Sequence, residues 1–457
     1  MRNVLFLILL PFLLAAQDAP AGDWEGAISI GGMNLGIAVH FSQVDAQLKA
    51  TIDIPQQGAH NLPLQNVKFN QPQVYFELPA GPGLAVFDGI RKEDTIDGTF
   101  VQGAASGTFS LTPLKKTVKD TTLSYNETDV TFGHGDITLS GTLLSPKKTA
   151  PKKAVVFVTG SGLQDRDEDI MGFKIFKTLA EYLAQNGIAS LRYDDRGFGK
   201  SSGDAQNATT KDFADDAASA IDYLTNKSGL NILKTGIIGH SEGALIAGML
   251  ASQSKDIDFI VLMAGSAIPG DQLLLEQGQL VNQVMGFSRD DADTQRAMQE
   301  KIFKTIRSNS GWDVLEQELR DAIKEKLYAT PVEERRHIAD PKQYIENAVA
   351  AQMQQIRSPW MKFFIDYNPA DDLKKIDIPT LALFGGKDVQ VPAKSNMQIM
   401  QEIFENRDST QFTIKLFPEA NHLFQKAKTG SPAEYGRLKH QFVDGFLELT
   451  RDWIIRL

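Results

Sequence analysis

Apolar and polar positions alternate with a period of two from Asp23 to about Pro113. Stretches such as LKATIDIP and PQVYFELP are bounded by turn-forming residues at intervals of about eight to twelve positions. This pattern is typical of half-buried antiparallel strands, and it predicts an all-β unit, either a sandwich or a small barrel. The polar stretch LKKTVKDT that follows, from Leu114 to Thr121, predicts a linker.

The periodicity changes after the linker. DVTFGHGDITLSGTLLSP predicts antiparallel strands that open a second domain, and from Ala154 onward short apolar runs alternate with amphipathic stretches. Strands that alternate with helices form βαβ units, so this part predicts an α/β fold with a doubly wound, mostly parallel sheet. The predicted strands lie in AVVFVTG, IASLRYDD, TGIIGH, DFIVLMAG, PTLALFGGKD and TIKLFPEANH.

A helical insertion interrupts the second domain between Gly270 and about Asp371, where the sequence is charged and has no strand-like run. Because it precedes the last two strands, we expect it to cover the strand ends as a lid. AEYGRLKHQFVDGFLELTRDWI then predicts a closing helix. The expected organisation is a signal peptide at 1–19, an all-β domain at 20–117 and an α/β domain at 118–457, with the lid at about 270–371.

The first residues, MRNVLFLILLPFLLAAQDAPAGD, combine a positive charge at Arg2 with an apolar run from Val4 to Leu14. Small residues follow, and the whole stretch is typical of a signal peptide cleaved between Ala15 and Ala19. We therefore expect export to the periplasm or the extracellular space. The apolar run is too short to span a bilayer as a helix, and no later stretch approaches that length, so no stable membrane span is expected.

The chain of 457 residues has a formal net charge of −10 and contains no cysteine. Nucleic-acid-binding surfaces are basic, so the acidity argues against a nucleic-acid partner. The lack of cysteine excludes disulfides, thiol nucleophiles, cysteine zinc sites and a lipidated cysteine.

Two stretches match the G-x-S-x-G pattern, one around Ser201 and the other around Ser241. A nucleophile elbow requires a strand directly before the serine and a helix directly after it. Ser241 has both, with TGIIG before it and ALIAGMLA after it. Ser201 lies in the loop DDRGFGKSSGD, which also lacks the first glycine of a phosphate-binding loop because that position is Asp194. The pattern therefore favours Ser241.

A serine nucleophile needs a base, and the base needs a group that orients it. Of the seven histidines, His422 follows the last predicted strand, so it should converge with Ser241 at the edge where parallel strands end. His240 adjoins the serine and should point away from the serine side chain. Asp388 follows the penultimate strand through a Gly-Gly turn and completes the chain order Ser, Asp, His.

An oxyanion hole needs two amide donors. The residue after the nucleophile, Glu242, supplies one, and the loop TGSG supplies the other, from Ser161 or, as the second choice, Gly162. We interpret the Glu242 carboxylate as structural. The acidic run QDRDED from Gln164 is interpreted as a solvated loop, so no metal and no cofactor are expected.

At this point five motifs resemble the ordered landmarks of α/β-hydrolases: TGSGLQDRDED, LRYDDRGFGKSSGD, GHSEGA, GGKDVQVP and ANHLF. The chain is similar to bacterial serine hydrolases of the serine-aminopeptidase-like branch, which include two-domain esterases, over roughly Val130 to Leu457. One departure is Thr159, where a histidine that often braces the oxyanion loop is usual. The N-terminal β unit is similar to the accessory domain that such esterases can carry.

The resemblance implies hydrolysis of a small-molecule carboxylic ester, of short to medium acyl length, through an acyl-enzyme. Ser241 would attack the carbonyl carbon, and His422 would act as base and then as acid. Asp388 would hold the imidazole, and the amides of Ser161 and Glu242 would bind the oxyanion. Two alternatives remain open: a peptidase that holds a substrate ammonium with Glu242 or acids of the lid, and a non-catalytic protein that binds the cell envelope.

Overall fold

The computed structural model describes residues 19–457 except 31–32, 45–46, 55–58, 81–82, 103–104, 115–122, 330–331, 336–339, 406 and 408–410. The predicted signal peptide up to residue 18 and nearly all of the predicted linker lie outside the described residues. The chain divides into two compact units. One comprises the chain to Thr117 together with Thr330–Pro341, and the other comprises Val118–Ala329 and Lys342–Leu457.

The first unit contains one antiparallel sheet of nine strands, in the order β4-β3-β2-β1-β9-β8-β7-β6-β5. The sheet curls into a nearly closed barrel, since β5, at one edge of this order, contacts β3, which lies next to the other edge. The strands are β1 Gly22–Ile30, β2 Met33–Val44, β3 Gln47–Ile54, β4 Ala59–Pro63, β5 Gln65–Asn70, β6 Gln73–Ala80, β7 Gly83–Lys92, β8 Thr95–Gln102 and β9 Ala105–Pro113.

Aromatic side chains fill the interior of this first sheet. Phe76 stacks on Phe87 with ring centroids 4.6 Å apart, and Phe109 meets both rings edge to face. Every second residue of β3 from Ala50 to Ile54 is buried, as the period of two predicts for a strand with one face in the core.

The second unit is built on a sheet of eight strands in the order β10-β11-β15-β12-β16-β17-β18-β19. The pairs β10–β11 and β11–β15 are antiparallel and all others are parallel, so the mostly parallel sheet predicted from the sequence is confirmed. The strands are β10 Tyr125–His134, β11 Ile137–Pro146, β12 Lys153–Val158, β13 Asp169–Ile170, β14 Phe173–Lys174, β15 Ala189–Tyr193, β16 Lys234–His240, β17 Phe259–Met263, β18 Thr380–Gly385 and β19 Phe412–Phe417; β13 and β14 form a separate small hairpin.

Helices cover both faces of the large sheet and bury a separate hydrophobic core on each. One core includes side chains of α1 and α12, and the other includes side chains of α2, α3 and α11. These helices are α1 Ile175–Gln185, α2 Thr210–Asp222, α3 Glu242–Ala251, α11 Ala393–Phe404 and α12 Phe446–Arg456, and a short π-helical turn, Tyr223–Lys227, extends α2.

The insertion between β17 and β18 is helical, as predicted. Its first helix packs closely on α9, because a Cβ atom on Gly270 would lie 1.9 Å from the carbonyl oxygen of Phe364. Arg307 joins the start of α4 to the end of α9 through bonds of 2.8 Å to Asp271 and Asp366. The helices are α4 Gly270–Met285, α5 Arg289–Ser308, α6 Trp312–Ala329, α7 Val332–Arg335, α8 Pro341–Ile356, α9 Pro359–Asp366 and α10 Pro369–Leu373.

The closing helix is shorter than predicted. The segment begins with a 3₁₀ helix at Pro432–Arg437 and continues without regular structure before α12 starts at Phe446. Gly445 adopts a left-handed conformation with φ of +82°, which a helix interior does not allow. His440, expected within the helix, therefore lies in a loop, where its ring stacks on Phe173.

Within the described residues, the structure contains no helix with the length and apolar character needed to cross a bilayer.

Candidate active site

Ser241 lies at a sharp turn between β16 and α3, with φ of 53° and ψ of −114°. A non-glycine residue with positive φ is strained, and such strain is characteristic of a nucleophile elbow. Both flanking glycines are required by close packing. A Cβ on Gly239 would lie 2.0 Å from the carbonyl oxygen of Gly243, and a Cβ on Gly243 would lie 2.0 Å from that of Val158.

Asp388 and His422 meet directly at the ends of the last two strands. His422 Nδ1 lies 2.7 Å from Asp388 Oδ2, and both residues are buried. The other oxygen, Oδ1, accepts the backbone amides of Gln390 and Val391 at 2.8 and 2.9 Å. The carboxylate is thereby fixed, and it can hold the imidazole with Nε2 free for proton transfer.

The loop that carries His422 is braced by two buried amide side chains that the sequence did not single out. Asn421 Oδ1 accepts the backbone amides of Leu423 and Gln425 at 3.0 and 2.9 Å. The Gln425 side chain bonds to Asn421 Nδ2 and to the carbonyl oxygen of Lys439. These bonds fix the backbone on the C-terminal side of His422.

Ser241 opens into a cavity of about 60 Å³ that the lid covers. In the part of the chain that the structure describes, Ser241 Oγ makes no hydrogen bond, and the hydrogen bonds of catalytic groups often form fully only when substrate binds. The body of the unit contributes Ser161, Ser241, Glu242, Leu245, Ser266, Gln390 and Val391 to the cavity wall, and the lid contributes Leu273, Leu274, Gln277, Trp360 and Phe364.

The loop after β12 supplies the proposed second oxyanion donor. The amide of Gly160 is occupied, because it donates to Glu168 Oε1 at 2.9 Å. Of the two candidate donors, Ser161 lines the same cavity as Ser241, whereas Gly162 lines a neighbouring one. This placement favours Ser161, with Glu242, at the first position of α3, as the other donor.

Thr159 braces the oxyanion loop despite replacing the usual histidine. Its hydroxyl donates to Asp195 Oδ1 at 2.6 Å, and Asp195 Oδ2 accepts the amide of Gln164 at 2.8 Å. Burial, together with the nearby carboxyl groups of Glu168 and Glu242, raises the pKa of Asp195 well above its usual range despite these two hydrogen bonds. The loop is therefore held from both ends by one buried carboxyl group.

The interpretation of QDRDED as a solvated loop is wrong. Glu168 is fully buried, and Arg166 donates its backbone amide and its guanidinium to the buried carboxylate of Asp194. Asp167 pairs with Arg192, whose side chain is buried in the sheet. The run is therefore half-buried and is held by hydrogen bonds and ion pairs to the sheet and its loops. Among the described residues, no group of three or more histidine, aspartate or glutamate side chains has an arrangement that could hold a metal ion.

Ser201 is buried, and its side chain has a structural role. Its hydroxyl accepts the amide of Ser140 at 3.0 Å and donates to the carbonyl oxygen of Asp194 at 2.8 Å. Both bonds tie its loop to the neighbouring backbone.

The carboxyl group of Glu242 is buried next to Ser241. Its Oε1 accepts hydrogen bonds from the Thr210 hydroxyl at 2.6 Å and from Trp360 Nε1 at 2.7 Å. Burial raises the pKa of Glu242, although both hydrogen bonds act to lower it. The residue therefore connects the elbow to α2 and to lid helix α9.

Comparison with known proteins identifies the family. A model described as Hydrolase_4, serine aminopeptidase S33, matches residues 150–426, which is more than half of the chain. The chain belongs to this α/β-hydrolase family. As a Hydrolase_4 protein it is a hydrolase, and the predicted α/β-hydrolase fold with a preceding all-β unit is confirmed.

The proteins that match this Hydrolase_4 chain include a curated esterase and solved structures of esterases. Esterase EstD of Thermotoga maritima is 28% identical over 336 residues, which cover 73% of this chain and 68% of that protein. The Pyrococcus furiosus esterase Pf2001 has 16% identity and a TM-score of 0.45, covering 73% of this chain and 92% of the other. Est1E of Butyrivibrio proteoclasticus, solved with ferulic acid, has 15% identity and a TM-score of 0.38, covering 72% and 97%.

Proposed function

We propose that the chain is a serine carboxylesterase that works through an acyl-enzyme intermediate. The observation that carries the proposal is the buried Asp388–His422 pair at the strand ends beside the strained elbow of Ser241. The esterase similarity adds to it, and hydrolysis of an ester is the activity that this set of groups supports best.

In the proposed reaction, His422 takes the proton of the Ser241 hydroxyl as Oγ attacks the ester carbonyl carbon. The carbonyl oxygen becomes negative and accepts hydrogen bonds from the amides of Ser161 and Glu242. His422 then gives the proton to the departing alcohol, which leaves an acyl group on Ser241. A water molecule, deprotonated by His422, attacks the acyl carbon and releases the acid.

The environment of Glu242 supports an esterase over a peptidase. A peptidase that binds a free amino terminus would need an ionised carboxylate for the ammonium group. Glu242 Oε1 already accepts two hydrogen bonds, and burial raises the pKa of this carboxyl group, which favours its neutral form.

The cavity supports a short acyl group. Its volume is only about 60 Å³, and side chains of the lid form part of its wall. An acetyl or propionyl group suits this space, whereas a longer chain requires the lid to move.

Ser241→Ala tests the proposal, with Ser201→Ala as the matched control in the other G-x-S-x-G stretch. Ser241→Ala should abolish labelling by an aryl phosphonate and lower hydrolysis of an aryl acetate by about 10⁵-fold or more. Ser201→Ala should keep the label and lose about 1 kcal/mol of stability with its hydrogen bonds. Labelling that survives in Ser241→Ala refutes the assignment, and faster cleavage of aminoacyl arylamides than of aryl esters by the unaltered chain favours a peptidase.

A further inference from the structure

Glu168 and His240 form a buried pair that the proposed reaction does not use. Glu168 Oε1 lies 2.7 Å from His240 Nδ1, and the two side chains are 0% and 2% exposed. The same carboxylate oxygen accepts the amide of Gly160 at 2.9 Å. On the other side, His240 Nε2 lies 3.0 Å from the backbone carbonyl oxygen of His422. One chain of hydrogen bonds thus connects the oxyanion loop to the loop that carries His422.

Both ring nitrogens of His240 face oxygen acceptors, so both bonds form together when the imidazole carries two protons. The second carboxylate oxygen, Glu168 Oε2, is buried without a hydrogen-bond partner among the described residues. An isolated buried carboxylate is strongly destabilised, and the adjacent imidazolium supplies the compensating charge. Glu168 also has a positive φ of 49°, so its backbone is strained in the conformation that directs it here.

We propose that Glu168 and His240 are a positioning pair. While His240 carries both ring protons, the pair holds the oxyanion loop and the loop of His422 in fixed positions relative to the nucleophile elbow. The proposal rests on the proposed function, since it assigns the pair to the alignment of that same reaction. Neither residue touches the reacting atoms. The pair fixes the backbone of Gly160, next to the proposed donor Ser161, and the backbone of the proposed base.

The charges around His240 decide its protonation. Burial lowers the pKa of His240, but the charge and hydrogen bond of Glu168, the His422 carbonyl and the charge of Asp388 together raise it above the usual value. The His422 ring packs against it with centroids 4.7 Å apart. A histidine whose pKa is higher in the folded chain than in the unfolded chain stabilises the fold. This contribution is complete at a pH below the pKa of the unfolded chain, and it is lost as the pH rises through the pKa of the folded chain. At high pH one of the two bonds of His240 therefore breaks.

Glu168→Gln tests the pair with little change of shape. The amide oxygen can still accept the Gly160 amide and one ring proton, but it no longer favours a second ring proton, so the bond to the His422 carbonyl is lost. We expect kcat for an aryl acetate to fall by about 10- to 100-fold with KM nearly unchanged. The alkaline decline of kcat should move to lower pH by about one unit or more, because the charge that favours the imidazolium is gone.

His134→Gln is the matched control, because it breaks another histidine–carboxylate bond of the same unit, the 2.8 Å contact of His134 with Asp216. Its kcat and its alkaline decline should match those of the unaltered chain. A folded Glu168→Gln protein whose kcat stays within about threefold of the parent, or whose alkaline decline does not move, overturns the proposal.

A second measurement needs no substitution. The rate at which the unaltered chain reacts with an aryl phosphonate at Ser241 should fall by about tenfold or more toward pH 10, while circular dichroism shows the fold intact. A rate that stays level to pH 10 overturns the proposal. Because the label itself reports the nucleophile, failure of the serine assignment is seen as a missing label and is distinct from failure of the pair.

Discussion

Three residues with positive φ lie in the three segments that carry the proposed site. They are Glu168 in the oxyanion loop, Ser241 at the elbow and Phe424 just after His422. A non-glycine residue in this region costs of order 1 to 3 kcal/mol, and it persists only where the surrounding contacts enforce it. The strain is therefore consistent with side chains that must be held in one position.

The carboxyl group of Asp165, in the acidic loop, makes the stability of the fold depend on pH. Burial, together with the charges of Asp167 and Asp169, raises its pKa from 3.8 to about 6. The folded chain therefore keeps a proton that the unfolded chain releases near pH 4. The stability that this carboxyl contributes is complete below about pH 4 and is lost as the pH rises through about 6.

Asp165→Asn should therefore stabilise the protein at pH 8 by about 1 to 3 kcal/mol and have little effect at pH 4. Asparagine stays neutral, and its Oδ1 can still accept the amides of Asp167 and Asp169. Denaturant unfolding at both pH values measures the difference. Asp129→Asn is the control. The Asp129 carboxylate is exposed, so the loss of its charge should change the free energy of unfolding little at either pH. Equal effects of Asp165→Asn at pH 4 and pH 8 would contradict the argument.

At the scale of elements, apolar periodicity predicted most of the sheet strands because most of them are buried on one or both faces. The serine elbow was predictable as well, since its strand, glycines and helix are adjacent in sequence. The acidic loop was misinterpreted because its partners Asp194, Asp195 and Arg192 come from a distant strand and its following loop. The early end of the closing helix depends on the left-handed conformation of Gly445, which apolar periodicity does not reveal.

The lid helix α4 offers a test of acyl specificity. Leu273 and Leu274 of this helix line the cavity with Ser241, whereas Leu280 and Val284 do not belong to the cavity wall. Leu274→Trp should narrow that cavity, so the preferred acyl group should shorten while an acetyl ester still reacts. Each methylene group that no longer fits loses up to about 0.8 kcal/mol of the free energy gained on burial, which lowers kcat/KM by about fourfold.

A series of aryl esters from acetyl to octanoyl measures this effect. Leu280→Trp is the matched control on the same helix, outside the cavity wall, and its chain-length profile should equal that of the parent. If Leu274→Trp leaves the profile unchanged, or if Leu280→Trp shifts it equally, α4 does not set acyl length.

At the scale of the whole molecule, we propose that the mature protein is exported. The support is the leader with Arg2 and the apolar run Val4 to Leu14. Cell fractionation with mass spectrometry of the amino terminus tests this. The expected product begins between residues 16 and 20 and lies outside the cytoplasm, and a full-length chain in the cytosol would contradict the proposal.

The strand order of the first unit affects when that unit can fold. β1 lies between β2 and β9, so the first strand is hydrogen bonded to the last, with Trp24 opposite Pro113. Hairpins such as β6–β7 join neighbours in sequence and can form early, but the β1–β9 pairing must wait for the end of the unit to be synthesised. Pairings between such distant residues slow folding. Under the export proposed above, a chain that entered a translocation channel amino terminus first would pass through with this sheet incomplete, and the barrel would assemble on the far side.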